Sequence, residues 1–218
     1  MTPQLIEDAA RRKYNSFGSS FYAQAEIWDL IYQAECEIAS ATKMLEGRAV
    51  ISGGTVAGTQ SYAYPTGVLE LKRVEVDGQR LEKIDLRDDD DITVFNSNTT
   101  EQGTPQFYWV WDQTIYLRPI PDTSSLQIRL FYYEEPALVT SASQTLEVPA
   151  IHHMRIVDKV VGEMIAKDDK SKNNYYLTKW DEVHMPAMMA WVRKRKTGDR
   201  FNVVKDENTS SRTILVRP

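Results

Sequence analysis

At 218 residues the chain suits one domain or two small ones, and 42% hydrophobic with 26% charged residues is an ordinary globular balance. No apolar run approaches the roughly 20 residues of a membrane span, and the single cysteine, Cys36, excludes an internal disulfide and any cysteine-based zinc site. The opening "MTPQLIEDAARRK" lacks the apolar centre of a secretory signal, which implies synthesis and retention in a cytoplasm, and a net charge of −5 argues against general nucleic-acid binding.

Thr2-Pro3 reads as an N-cap followed by the first helical residue, with Leu5, Ile6, Ala9 and Ala10 on one face. "NSFGSS" (15–20) breaks this helix. From Phe21 to Glu46 the apolar positions Ile27, Leu30, Ile31, Ala34, Ile38, Ala41 and Leu45 recur at spacings of three and four. The pattern predicts an amphipathic helix of about 40 Å at 1.5 Å per residue. Trp28 and Tyr32 fall off the stripe, which points either to a second partner such as a neighbouring subunit or to burial under a loop.

After Gly47 the texture changes. "ISGGTVAGTQ" (51–60) is loop-like, and short alternating runs follow: "VLELKRVEV" (68–76), "ITVF" (92–95), "QFYWVW" with "TIYLRPIPD" (106–122), and "LQIRLFYY" (126–133). Turn signals separate them, at Asp77-Gly78, "NSNTTEQG" (96–103) and "PDTSS" (121–125). Either Asp112-Gln113 or Gln113-Thr114 makes the tip of a hairpin. Its parity puts Ile115, Leu117 and Pro119 on one face and Tyr116, Arg118 and Ile120 on the other. Phe107, Trp109 and Trp111 share a face and are expected to point into a core rather than to form a sugar platform. "DLRDDDD" (85–91) reads as a solvated acidic loop, without the ligand spacing or glycine of a calcium loop.

Helical period returns at Val148-Pro149, where Ala150, Met154, Val157, Val161, Met164 and Ile165 form a stripe. After "KDDKSKNN" (167–174), Ser171 caps a second helix carrying Leu177, Trp180, Val183, Ala187 and Trp191, kinked at Pro186. "RKRK" (193–196) suits a helix C-terminus, and Gly198 a stop. Helices at both ends and strands between predict an α+β fold. Residues 1–46 and 148–197 form a helical bundle, residues 47–147 an inserted antiparallel β-sandwich or barrel-like module, and residues 198–218 an extended C-terminal arm.

The search for chemistry returns no catalytic residue, no metal ligand set and no cofactor motif. His152 and His153 are neighbours, about 100° apart on a helix, and cannot jointly grip one ion; His184 has no partner at metal-binding spacing. Cys36 reads as a packed thiol. Gly53-Gly54 and Gly58 lack the lysine of a phosphate loop. Glu26 or Glu35 with Asp29 resembles a glycosidase pair only as carboxylates on any acidic helix do.

The tail carries more information. Residues 193–218 hold Arg193, Lys194, Arg195, Lys196, Arg200, Lys205, Arg212 and Arg217 against three carboxylates, a net of +5 that leaves −10 for the other 192 residues. Within it Phe201, Val203 and Val204 form one short β-prone piece, and Ile214, Leu215 and Val216 another. Such a segment either orders on a partner, by strand addition or insertion into a groove, or folds back on its own chain.

"IYLRPIPD" (115–122), "LQIRLFYYEEP" (126–136) and "LEVPAIHHMRIVDKVVGEMIAK" (146–167), with a long N-terminal helix and a basic tail, resemble the head-to-tail adaptor, or connector, proteins of tailed bacteriophages. This group includes the tail tubular protein A or gatekeeper type. The resemblance implies a non-enzymatic virion protein at the head–tail junction. It implies a ring of 12 copies docked under the portal protein, continuing the DNA channel without sequence-specific binding and presenting a platform to the tail nozzle or tail tube. Trp28 and Tyr32 then suit subunit contacts, and the basic arm suits the portal. An adaptor-like peptidoglycan hydrolase and a carbohydrate-binding module are the competing readings.

Overall fold

A computed structural model describes residues 1–15, 22–85, 101–168 and 175–197, together with the backbone of strands Asn202–Val204 and Ile214–Val216. The expected strand 92–95, most of the acidic run and the Ser171 cap lie outside these residues. The fold is α+β.

Helix α1 spans Pro3–Lys13, and the Thr2 hydroxyl accepts the Leu5 N–H at 3.4 Å. Its buried face is Pro3, Ile6, Glu7 and Ala10, with Ala9 packed against the same core; of the expected stripe only Leu5 is exposed. Helix α2 is Gln24–Thr42, 19 residues rather than the 26 expected. It stops because Lys43 adopts a left-handed conformation (φ 52°) and donates its N–H to Ala39 O. The chain then enters a strand, so Leu45 and Glu46 are not helical.

The β region begins there. Strand β1 is Glu46–Val50, β2 is Ser61–Ala63, β3 is Val68–Val76, β4 is Gln79–Arg80 and β5 is Glu82–Lys83. After the acidic segment come β6 (Gln102–Gly103), β7 (Phe107–Trp111), β8 (Thr114–Arg118), β9 (Ile120–Pro121) and β10 (Ile128–Glu134). The first sheet has the order β1-β10-β3-β4, all antiparallel, and the second β2-β8-β7-β5. The module is not wholly antiparallel, since β5 runs parallel to β7 and β6 to β9. One core unites the two four-stranded sheets, with Val74, Val76, Ile128 and Leu130 from the first and Tyr108, Ile115 and Leu117 from the second.

The β7–β8 hairpin turns at Asp112-Gln113, both with positive φ, the geometry that matches strand twist. Its pairing overturns one expectation. Tyr108 lies opposite Leu117 and Val110 opposite Ile115, and these four form the core face. Phe107, Trp109 and Trp111 are on the other face. There Trp109 stacks on Tyr116 at 5.2 Å beneath the Arg118 guanidinium, and Trp111 is 61% exposed. A one-residue change of parity exchanges the faces of a strand, and in β7 either parity offers large apolar side chains.

The 51–60 loop is clasped to the segment that leads into β10. Thr55 is buried, donates its hydroxyl to Thr123 O at 2.7 Å and accepts the Leu126 N–H at 3.0 Å. Gly54 permits this approach: a Cβ there would lie 2.4 Å from Leu126 O, and its φ is +66°.

After a 3-10 turn (Ala150–His152), α3 spans His153–Asp168, α4 Tyr175–Lys179 and α5 Met185–Thr197. Trp180–His184 forms a π-turn between α4 and α5. Pro186 has no N–H to donate four residues back, so the irregularity falls just before it. The wide turn re-phases the buried stripe, which runs Trp180, Met185, Met188, Val192, while Val183 is 54% exposed. In α3 His153, Asp158 and Gly162 are buried beside an apolar set of Ile156, Val157, Val160, Val161 and Met164, with Ala150 and Met154 outside it. The apolar set joins Ile6, Ala10, Ile27, Ile31, Ala34 and Ile38 in one helical core. Val139, Leu146 and Val148 complete it.

Candidate interaction surface

The positive residues expected to meet a partner begin at the end of α5. Met188 and Val192 anchor that helix in the core, leaving Arg193, Lys194, Arg195 and Lys196 exposed on its last turn, where cations complement the helix dipole. They are therefore helical. Lys196 crosses to the start of the β region. It donates to Lys43 O at 2.8 Å, sits 4.4 Å from the Tyr133 ring centre and lies 3.7 Å from Glu46. Lys43 and Lys72 approach the same ring at 5.6 and 5.7 Å. A cavity of about 420 Å³ opens here, lined by Met44, Glu46, Lys72, Tyr133, Val192, Arg195 and Lys196.

Beyond the helix, Asn202–Val204 and Ile214–Val216 pair antiparallel, Asn202 opposite Val216 and Val204 opposite Ile214. This accounts for Val203, Val204, Ile214, Leu215 and Val216 as backbone. Arg200, Phe201, Arg212 and Arg217 lie outside the described residues.

Trp28 and Tyr32 are half-buried against the helical core. Trp28 donates its indole N–H to Glu7 Oε2 at 3.1 Å. Glu7 is buried and also takes Arg11 at 2.8 Å and Gln24 at 3.1 Å. Tyr32 donates to Glu135 Oε1 at 2.9 Å, and its phenol is pushed up by hydrogen bonding to Cys36 and Glu135. Both aromatics thus have partners within the chain, and only their remaining exposed edges are open to a neighbour.

The candidate chemical groups are distributed as internal ties. Glu35 is buried and accepts the Val148 N–H at 3.2 Å; burial pushes its carboxyl up to about 7, against the lowering effect of that bond. Val148 O in turn meets His153 Nε2 at 2.7 Å, so the point where the chain returns to the helical core is held from both sides. Asp29 is exposed and Glu26 pairs with Lys167, so neither faces Glu35 as a glycosidase partner would. His152 is buried with its ring edge-on to Trp191 at 4.9 Å, and desolvation lowers the pKa of both His152 and His153.

Sequence reasoning missed the strongest of these ties. Asp158, 4% exposed on α3, meets Lys13 of α1, Lys179 Nζ at 2.7 Å and His184 Nε2 at 2.9 Å. Burial raises its pKa, but these three hydrogen bonds outweigh that effect and hold it at about 2. An Asp in the "RIVDKVV" run was the available signal, a carboxylate inside a buried stripe.

Among the described residues no group of three or more His, Cys, Asp or Glu is placed to hold a metal ion, and no helix is long and apolar enough to cross a membrane. The family described as SU10 adaptor protein has a sequence model that matches residues 1–198. No curated protein matches the chain.

Proposed function

The chain belongs to the SU10 adaptor protein family, and from that premise we propose that copies of it form a ring under the portal protein, continue the DNA channel and carry the tail. As a member of that family it is a bacteriophage adaptor, a structural component of the virion. The ring is read as 12 copies, with a tail nozzle or tail tube below and DNA passing without sequence-specific contact. The family match is the observation that carries this reading.

Three features support the finer parts. The helices from the two chain ends share one core, as a bundle interrupted by an inserted β-sandwich requires. The insertion's entry and exit are adjacent, since Glu134 N–H donates to Leu45 O at 3.0 Å. We therefore place the insertion's end near Glu135, with 135–148 returning into the bundle. Third, beyond the exposed Arg193–Lys196 turn the described tail residues pair as a two-stranded ribbon. Such a ribbon is marginal by itself and offers edges for strand addition. The exposed edges of Trp28 and Tyr32 are assigned to the neighbouring subunit, and the arm with Arg200, Arg212 and Arg217 to the portal. The family's role calls for no catalytic step.

Truncation after Gly198 tests the arm. Thermal melting of the truncated monomer should match the full chain within a few degrees, while co-sedimentation with purified portal is lost. A truncated chain that still co-sediments contradicts the assignment.

A further inference from the structure

The outer face of the first sheet concentrates positive charge. Cross-strand pairing places Arg48, Phe131 and Arg73 in one row, Arg129 beside Glu75 in the next, and Arg80 opposite Glu75. The opposite face of the same strands, with Leu130 and Val74, is buried in the β core. The Phe131 ring has the Arg48 guanidinium at 6.0 Å on one side and that of Arg73 at 5.5 Å on the other. With Lys72 and Arg80 they line a groove of about 490 Å³. Arg73 is neutralised by Glu75 and Lys72 by Glu46. Arg48, Arg80 and Arg129 form no ion pair among the described residues. Like charges gathered on one sheet face repel, and an anionic partner relieves that repulsion.

The sequence supplies an anion, the four consecutive carboxylates Asp88–Asp91, preceded by Leu86-Arg87 and followed by Ile92. A run of carboxylates with an apolar residue near each end suits a groove floored by an aromatic ring and rimmed by guanidiniums. Both ends of the segment that carries this run are tied to the second sheet and its β9 extension. Ile84 N–H donates to Tyr108 O at 3.0 Å, and Ile120 N–H donates to Glu101 O at 3.0 Å. Arg80 of the groove lies four residues before Ile84, so this chain's run and that of a neighbouring copy are both within reach, and a ring of copies, whose contacts join two different patches, favours the second copy. We propose that the groove of Arg48, Arg73, Arg80 and Phe131 receives the Asp88–Asp91 run of a second copy. Such a contact joins two different patches and repeats head to tail, the type that closes a ring. The inference rests on the ring reading above.

The test uses a labelled peptide of residues 84–93, IDLRDDDDIT, titrated with the full-length chain at nanomolar concentration and read by fluorescence anisotropy. It does not require the ring to form, so its failure and the failure of the ring reading are separate results. Saturable binding is expected, weakening by about tenfold or more from low to physiological salt. The R48E/R80E double variant, checked as folded by circular dichroism, should bind at least about tenfold more weakly. A peptide with Asn at the four Asp positions should not bind. The unaltered chain and a chain carrying Asn at positions 88–91 should bind the peptide equally. Binding by the neutralised chain alone would mean the run folds back on its own groove, and would overturn the proposal. Equal binding by R48E/R80E would overturn it too, as would no binding. So would a short DNA duplex that binds the unaltered chain more tightly than the peptide and is lost in R48E/R80E.

Discussion

The two cores of this protein are assembled differently. Ile6 and Val192 meet in the helical core, which draws on both ends of the chain, whereas the buried members of the β core all fall between Tyr62 and Tyr132. The helical core also buries ionisable groups, among them Glu7, Glu35, His153 and Asp158, each tied by hydrogen bonds to residues outside its own helix. The β core is almost wholly apolar and carries its charge on an outer sheet face. Long-range closure is thus tied by polar contacts that penalise mispairing, while local hairpin closure relies on side-chain parity.

The bluntest way to break this comparison is to remove one side of it. Excising residues 46–134 and joining Leu45 to Glu135 through a short glycine linker should leave a helical, cooperatively melting protein, because those junctions already lie one hydrogen bond apart. Circular dichroism of an unfolded remainder would show that the helical core depends on the β region.

Within the β core the hairpin faces can be separated energetically. Leu117 is fully buried, so Leu117→Ala should cost about 2–5 kcal/mol in urea unfolding. Trp111 is 61% exposed, and Trp111→Ala should stay within about 0.5 kcal/mol. Similar losses for both would contradict the face assignment.

In the helical core the sharper probe is pH. Glu35 is held up to about 7 in the folded state against an ordinary 4.5, so the folded state binds the extra proton across that window. The stability this gives is full below about pH 4.5 and is lost as pH rises through about 7, a change on the order of 3 kcal/mol. His152 and His153, shifted down, act in the opposite sense, so the measurement must be a difference. Glu35→Gln keeps an acceptor for Val148 and removes the titration. Its stability relative to the unaltered chain should therefore improve from pH 5 to about pH 7 and level off above that. A flat difference would mean that Glu35 is not buried as a proton-binding group.

Much of this architecture was legible in the sequence, and the failures have physical causes. The Thr2-Pro3 start, strand 68–76 and the hairpin at Asp112-Gln113 follow from capping, alternation and turn chemistry, all local. Strands β1 and β2 were missed because "EGRAV" and "SYA" are short, with burial supplied by β10 and β8 respectively. Helix α2 was overextended because Lys43 ends it in a left-handed conformation without the glycine that usually marks such a stop. The stripe of α5 was misphased by one π-turn. Of the candidate surface, the Arg193–Lys196 turn was visible as a run. The basic sheet face was not, because Arg48, Arg73, Arg80 and Arg129 come from four strands and meet only through pairing.

The central claim is that this adaptor works as a ring on the portal, and electron microscopy of the full-length chain mixed with purified portal tests it most directly. The account predicts a ring of copies coaxial with the portal, an open central channel, and helical cores packed side by side around it. Portal particles that remain bare at saturating protein, or that carry isolated subunits without a closed ring, would contradict it.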